Sequence, residues 1–238
     1  MRYSEPLSAQ QPPVAEAAPR PAPSRRFRLA LWALAALVGI GGGALIALLQ
    51  AHHDTNAASL APPAPEQAIV SWKAGKAPAP DFRLADENGK PVSLAAFRGR
   101  PVILTFMDPV CTDFCPLEAK VVNRVLASFP AAKRPAVVAV SVNQFEQSRT
   151  DLLAAQRKWH WTPAWHWAAG PPAAEHPVWA DYKIAVQDSP STKNGKTEHE
   201  ISHTEAAFLI DAHGDQRALF LWPFRAADVT RTLRQIAG

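Results

Sequence analysis

Hydrophobic and polar positions divide the chain into stretches of different character. From Leu29 to Leu49 every residue is apolar or glycine, long enough as a helix to cross a hydrocarbon core of about 30 Å. Gly39 and Gly41-Gly42-Gly43 would weaken a helix in water but are common in bilayer spans. A cleaved signal peptide would carry a shorter apolar core, about 7–15 residues, before a small-residue site. The stretch is therefore predicted to be an N-terminal transmembrane helix. Residues 1–28 and 50–77 show no hydrophobic period and are rich in Pro and Ala, as expected of an unstructured tail and a flexible tether.

Beyond Pro78 the pattern becomes that of a folded domain. Asp81 to Leu94 predicts a hairpin, with Asn88-Gly89 supplying the positive φ angles of a tight turn. Val102–Met107 and Val137–Val142 are continuous apolar runs, which suit strands buried on both faces. A helix is predicted to open at Pro116, with Leu117, Val121, Val122, Val125 and Leu126 on one face. Then follow a helix at Arg149–Trp159, a strand at Trp165–Ala168, a helical turn at Val178–Tyr182, and strands at Phe208–Ile210 and Ala218–Trp222. An amphipathic helix at Asp228–Ile236 closes the chain, and Lys193-Asn194-Gly195-Lys196 reads as a hairpin tip. Strands alternating with helices predict one α/β domain over residues 78–238, a mixed sheet flanked by helices.

Charge changes the picture in one respect. Five arginines against Glu5 and Glu16 put +3 of the formal +4 into residues 1–28, leaving +1 for the rest. The body has no nucleic-acid footprint. Arginines clustered just before Leu29 place that end in the cytoplasm, so the membrane is crossed once and the domain lies outside it. An extracytoplasmic compartment tolerates disulfides.

The chain's two cysteines, Cys111 and Cys115, sit on the turn between the Val102–Met107 strand and the following helix. A disulfide closing so short a loop removes little unfolded-state entropy, which favours redox or metal chemistry over reinforcement. At a helix start the dipole and free N–H groups favour thiolate, while Asp108 and Asp113 oppose it, leaving the net shift open.

The strand, cysteine turn and helix, with the hairpin ahead of them, resemble the thioredoxin-like superfamily. Disulfide oxidoreductases of that superfamily carry two residues between their cysteines, whereas three intervene here. The combination of Cys111-x-x-x-Cys115-Pro116, Asn88-Gly89-Lys90-Pro91-Val92-Ser93-Leu94, Phe97-Arg98-Gly99, and Ser202-His203 before Phe208-Leu209-Ile210-Asp211 is similar to the Sco/SenC family of copper-binding cytochrome oxidase assembly proteins. The resemblance implies one copper ion, Cu(I) or Cu(II), held by Cys111, Cys115 and His203. It also implies delivery to an apo copper site on a partner such as a cytochrome oxidase subunit, with no small-molecule substrate. Two thiolates and an imidazole form a soft set that suits Cu(I), whereas zinc would want a fourth ligand from Asp113, His199 or water. Pro109, Thr112 and Asn143 depart from the family's usual residues around the site.

Two other functions fit the cysteine pair. One is a copper-independent thiol-disulfide oxidoreductase or peroxidase, although a peroxidase is expected to carry threonine where Asp108 stands. The other is a redox or copper sensor. His160, His166, His176 and His213 read as structural or solvated, no role is assigned to His52 and His53, and the tryptophans from Trp159 to Trp167 read as core or a partner-facing patch.

Overall fold

The computed structural model describes residues 68–236. Its strands and helices, in chain order, are β1 (Val70–Ser71), β2 (Leu84–Ala85), β3 (Pro91–Val92), β4 (Val102–Met107), α1 (Phe114–Ala127), β5 (Ala136–Ser141), α2 (Arg149–Lys158) and β6 (Trp165–Ala168). They continue with α3 (Pro172–Asp181), β7 (Val186–Lys193), β8 (Lys196–His203), β9 (Ala206–Ile210), β10 (Gln216–Leu221) and α4 (Ala226–Ile236). Among the described residues no helix is long and apolar enough to cross a membrane. The predicted span Leu29–Leu49, the tail before it and most of the tether lie outside them.

The central sheet runs in the order β1-β10-β9-β4-β5-β6. Strands β4, β5 and β6 are parallel, and β9 joins β4 antiparallel with Thr105 opposite Ala207. This mixed sheet with helices on its faces is the predicted α/β layout. The short β1 pairs with β10 and so takes in residues ahead of Pro78, within the stretch read as tether.

Every residue of β4 is buried, and because successive side chains point to opposite faces the strand feeds two cores. Ile103 and Met107 pack with Val122 and Val125 of α1, Leu152 of α2 and Leu233 of α4. Leu104 and Phe106 pack with Val178 and Trp179 of α3 and with Leu84 and Val92 of the β2–β3 hairpin. Trp159, Trp161, Trp165 and Trp167 gather in the first core, the Trp161 and Trp165 rings stacked at 4.3 Å. The tryptophan cluster is thus chiefly core.

Local chemistry moves several boundaries. Helix α1 opens at Phe114, not Pro116, because the Asp113 carboxylate accepts the Phe114 N–H at 2.8 Å and caps the helix there. Pro116 still lies in the first turn, where no N–H is required. Leu117 is exposed rather than part of the apolar face, which is made by Cys115, Ala119, Val122, Val125 and Leu126. Helix α3 starts at Pro172 and outruns the expected turn, with Pro177 inside it. At Asn88-Gly89 only Gly89 has positive φ, within a turn closed by the Gly89 N–H on Asp86 O at 2.9 Å. The tight turn with both residues at positive φ is instead Asn194-Gly195, the tip of the β7–β8 hairpin.

One buried acid makes stability depend on pH. Glu175 is fully buried, accepting the Gly170 N–H at 2.9 Å, and burial lifts its carboxyl to about 7 from 4.5. A carboxyl raised on folding stabilises most below its unfolded value, and that contribution is lost as pH climbs through the folded value. Between about pH 4.5 and about pH 7 the native protein should lose stability that Glu175→Gln retains. Urea midpoints of both proteins across this range measure it, the gap widening with pH.

Candidate functional site

The site is built where β4 ends. Asp108 O accepts the Cys111 N–H at 3.1 Å, closing a turn with Pro109 at its second position, where a fixed φ is favoured. The Asp108 carboxylate accepts the Val110 N–H at 3.0 Å and the Asn143 amide at 3.0 Å. Burial raises the Asp108 pKa against both bonds. An aspartate at position 143 would set a second carboxylate against this one; the neutral Asn143 amide donates instead.

This turn presents Cys111 half-buried and Cys115 fully buried, both as free thiols. The Cys115 N–H of the first turn of α1 donates to Cys111 Sγ at 3.4 Å, the helix-start effect expected from sequence. The two thiols are also inequivalent. The Cys111 pKa is held below the ordinary thiol value, first because Cys115 donates its S–H to it and then by backbone N–H groups, against burial and the Asp113 carboxylate. The Cys115 pKa is raised, by that same donation and by burial. Asp113, 3.0 Å from Cys111 Sγ, has its carboxyl pKa lowered, chiefly by the bond from Cys111. A cleft of about 330 Å³, walled by Asp108, Thr112, Asp113 and hairpin residues including Ser191 and Glu200, opens onto Cys111.

His203 is the last residue of β8. Its Nε2 lies 3.9 Å from Cys115 Sγ across a sequence separation of 88 residues, and only 3% of its side chain is exposed. Its Nδ1 is 3.2 Å from Thr204 O. A carbonyl can only accept, so Nδ1 carries the proton in that bond, and Nε2 is the ring nitrogen turned toward the sulfur. Cys115, His203 and Glu205 form a trio of potential ligands whose donor atoms lie within 4.8 Å of one another, with Cys111 beside Cys115.

His199 is turned to other work, its Nδ1 bonded to Asp188 at 2.8 Å and its ring stacked on Phe145 at 3.6 Å. Asp113 caps α1 and receives Cys111. The sequence reading missed two acids. Glu205 Oε1 is 3.2 Å from His203 Nε2. Glu118, fully buried on α1, accepts the Thr105 hydroxyl at 2.5 Å and is electrostatically linked to the Glu205 carboxyl. Burial raises both carboxyl pKa values, that of Glu118 the further. Glu205 stands two residues from His203, a signal that spacing could have supplied. Glu118 had none beyond an acid on an apolar helix face.

A family model described as SCO1/SenC matches residues 72–238. The chain belongs to the SCO1/SenC family. Solved structures give the same fold. The copper-bound structure of Bradyrhizobium japonicum ScoI superposes with a TM-score of 0.59 at 21% identity, over 67% of this chain and 99% of that one. Copper-bound yeast Sco1 gives 0.59 at 16% identity, over 67% of this chain and 87% of that one. Apo Sco1 from Thermus thermophilus gives 0.53 at 25% identity, over 69% of this chain and 91% of that one. No curated protein matches. The SCO1/SenC match spans both cysteines and His203, and the likenesses support the thioredoxin-like layout.

Unequal thiols should react unequally. In the reduced protein near neutral pH, iodoacetamide should label Cys111 at least about tenfold faster than the buried, high-pKa Cys115. Cys115→Ala should slow labelling of Cys111 by removing its S–H donor. Peptide mass spectrometry over a time course reads both rates.

Proposed function

We propose that this SCO1/SenC protein is a copper chaperone that holds one copper ion through Cys111, Cys115 and His203 and passes it to an apo copper site on a partner, such as a cytochrome oxidase subunit. The observation that carries the reading is the approach of His203 Nε2 to Cys115 Sγ at 3.9 Å, with Nδ1 engaged by Thr204 O so that Nε2 is the nitrogen facing the sulfur. Copper-bound relatives of the same fold support it.

The donor set fits the cargo. Thiolate and imidazole are soft ligands suited to Cu(I), and a thiolate must lose its proton to bind metal. Cys111 needs little help, being the more acidic thiol, and faces the cleft through which copper arrives. Cys115 gives up its proton as copper enters, and His203 completes the set from the other side. Exposed Val110, Phe114 and Leu117 around the cysteine turn offer an apolar surface on which an acceptor can dock.

The same pair can prepare an acceptor whose cysteines are oxidised. Cys111 thiolate attacks the acceptor disulfide, forming a mixed disulfide and releasing one acceptor thiolate. Cys115, deprotonated, then attacks Cys111 sulfur, forming the Cys111–Cys115 disulfide and releasing the second acceptor thiolate. Two electrons pass to the acceptor, which is then able to take metal. The adjacency of two free thiols of unequal acidity favours this second capacity.

The apolar run Leu29–Leu49 and the arginines before it support placing the chain in the cytoplasmic membrane as a single-pass protein, its N-terminus inside and its domain outside.

Titration of the purified protein with Cu(I) should saturate at one equivalent. His203→Ala and Cys111→Ser should each weaken binding at least about tenfold. A protein that binds no copper, while still exchanging disulfides in the His203→Ala variant, would be a plain oxidoreductase. Deleting the gene should lower oxidase activity in a manner rescued by added copper, whereas loss of a sensor would change expression instead.

A further inference from the structure

The side of the site opposite Cys111 holds a carboxylate that the three-ligand reading leaves unused. With Nδ1 of His203 donating to Thr204 O, Nε2 faces the site, and Glu205 Oε1 stands 3.2 Å from it. Cys115 Sγ lies 3.9 Å from the same nitrogen. Three potential metal donors, a thiol sulfur, an imidazole nitrogen and a carboxylate oxygen, therefore converge within 4.8 Å of one another. Such a cluster is stable when a cation, whether a proton or a metal ion, sits between its members.

The separations match those of a coordination shell. Metal–donor lengths of about 2.0–2.3 Å in a roughly tetrahedral site put nitrogen and oxygen about 3.3 Å apart, and sulfur and nitrogen about 3.5 Å apart. The observed 3.2 and 3.9 Å lie close to both. Glu205 Oε2 and Glu118 Oε2 are both buried without a hydrogen-bond partner, and Thr105 is bonded to the other oxygen of Glu118. Of the two Glu205 oxygens, Oε1 is the one turned to His203.

We propose that Glu205 supplies an oxygen ligand to the metal ion bound by Cys111, Cys115 and His203, and that this fourth donor favours Cu(II) over Cu(I). The inference rests on the copper reading above and deepens it. Two thiolates and an imidazole suit the soft, low-coordinate Cu(I) ion. A charged oxygen adds the hard donor and the fourth position that Cu(II) prefers. The site then accommodates either oxidation state without rebuilding, its preference set by one side chain.

The test uses the purified full-length protein, reduced and then loaded under inert gas, with Cu(I) and Cu(II) as separate probes against competing chelators. Glu205→Leu removes the oxygen at nearly constant volume. It should raise the Cu(II) dissociation constant roughly tenfold or more while moving that of Cu(I) by less than about threefold. Unchanged constants for both ions overturn the proposal. So does an equal rise in both, the signature of a residue that only positions His203. X-ray absorption of the wild-type Cu(II) form keeps the proposal falsifiable if the variant does not fold: two sulfur and two nitrogen or oxygen neighbours are expected, and a single nitrogen or oxygen neighbour overturns it. Wild-type protein that binds neither ion overturns the copper reading and this inference together, whereas copper binding that ignores Glu205 overturns this inference alone.

Discussion

The antiparallel pairing of β4 with β9 is the constraint from which the site follows. With Thr105 opposite Ala207, the end of β4 lies beside the start of β9. Whatever follows β4 and whatever precedes β9 must therefore meet at one edge of the sheet. The cysteine turn follows β4 and His203 precedes β9, so two parts of the chain separated by 88 residues become neighbours. The pairing is stabilised by burial, since every residue of both strands is inside and each side chain so buried contributes roughly 1.5–3 kcal/mol when it is of Val or Leu size. A core of that kind does not yield to a polar cluster at its rim, and the rim takes the geometry the core imposes.

That rim carries polar groups an inert domain would not keep. A buried polar atom without a partner costs about 1–3 kcal/mol, and more when charged. The Thr105, Glu118 and Glu205 chain spends this cost within one side chain of two thiols and an imidazole. On the outer side, Asp108 and Asn143 fix the turn that presents Cys111. The result is a graded pair of thiols, one acidic and facing the cleft, the other buried and holding its proton. One arrangement thus suits the proposed metal capture and the proposed disulfide exchange alike, because each would begin with a thiolate at Cys111 and continue with a proton leaving Cys115.

The fold was legible where burial dictated it. The β4 strand matches its apolar run residue for residue, because a strand hidden on both faces needs nearly uninterrupted apolar character, and β6 keeps its expected bounds although His166 interrupts it. The β7–β8 hairpin was visible only at its tip. Its strands are almost wholly exposed and polar, and nothing periodic marks them beyond the positive-φ demand at Asn194-Gly195. The start of α1 was misplaced because Pro116 looked like a first residue, when the capping carboxylate of Asp113 decides the matter earlier. In the site, the cysteines declared themselves by rarity and spacing. His203 needed the family resemblance, since long-range proximity leaves no local trace. Glu118 stayed hidden because an acid on an apolar helix face is read as a solvated position unless its Thr105 partner is known.

The account stands on His203 binding metal through Nε2 with Nδ1 protonated toward Thr204. Nitrogen-edited NMR of the histidine side chains, recorded before and after one equivalent of Cu(I), tests this directly. The expected result is a large shift of the His203 Nε2 resonance, a retained Nδ1 proton, and little change at His199. A Cu(I)-bound spectrum in which His203 is unmoved, or in which His199 shifts in its place, would contradict the account.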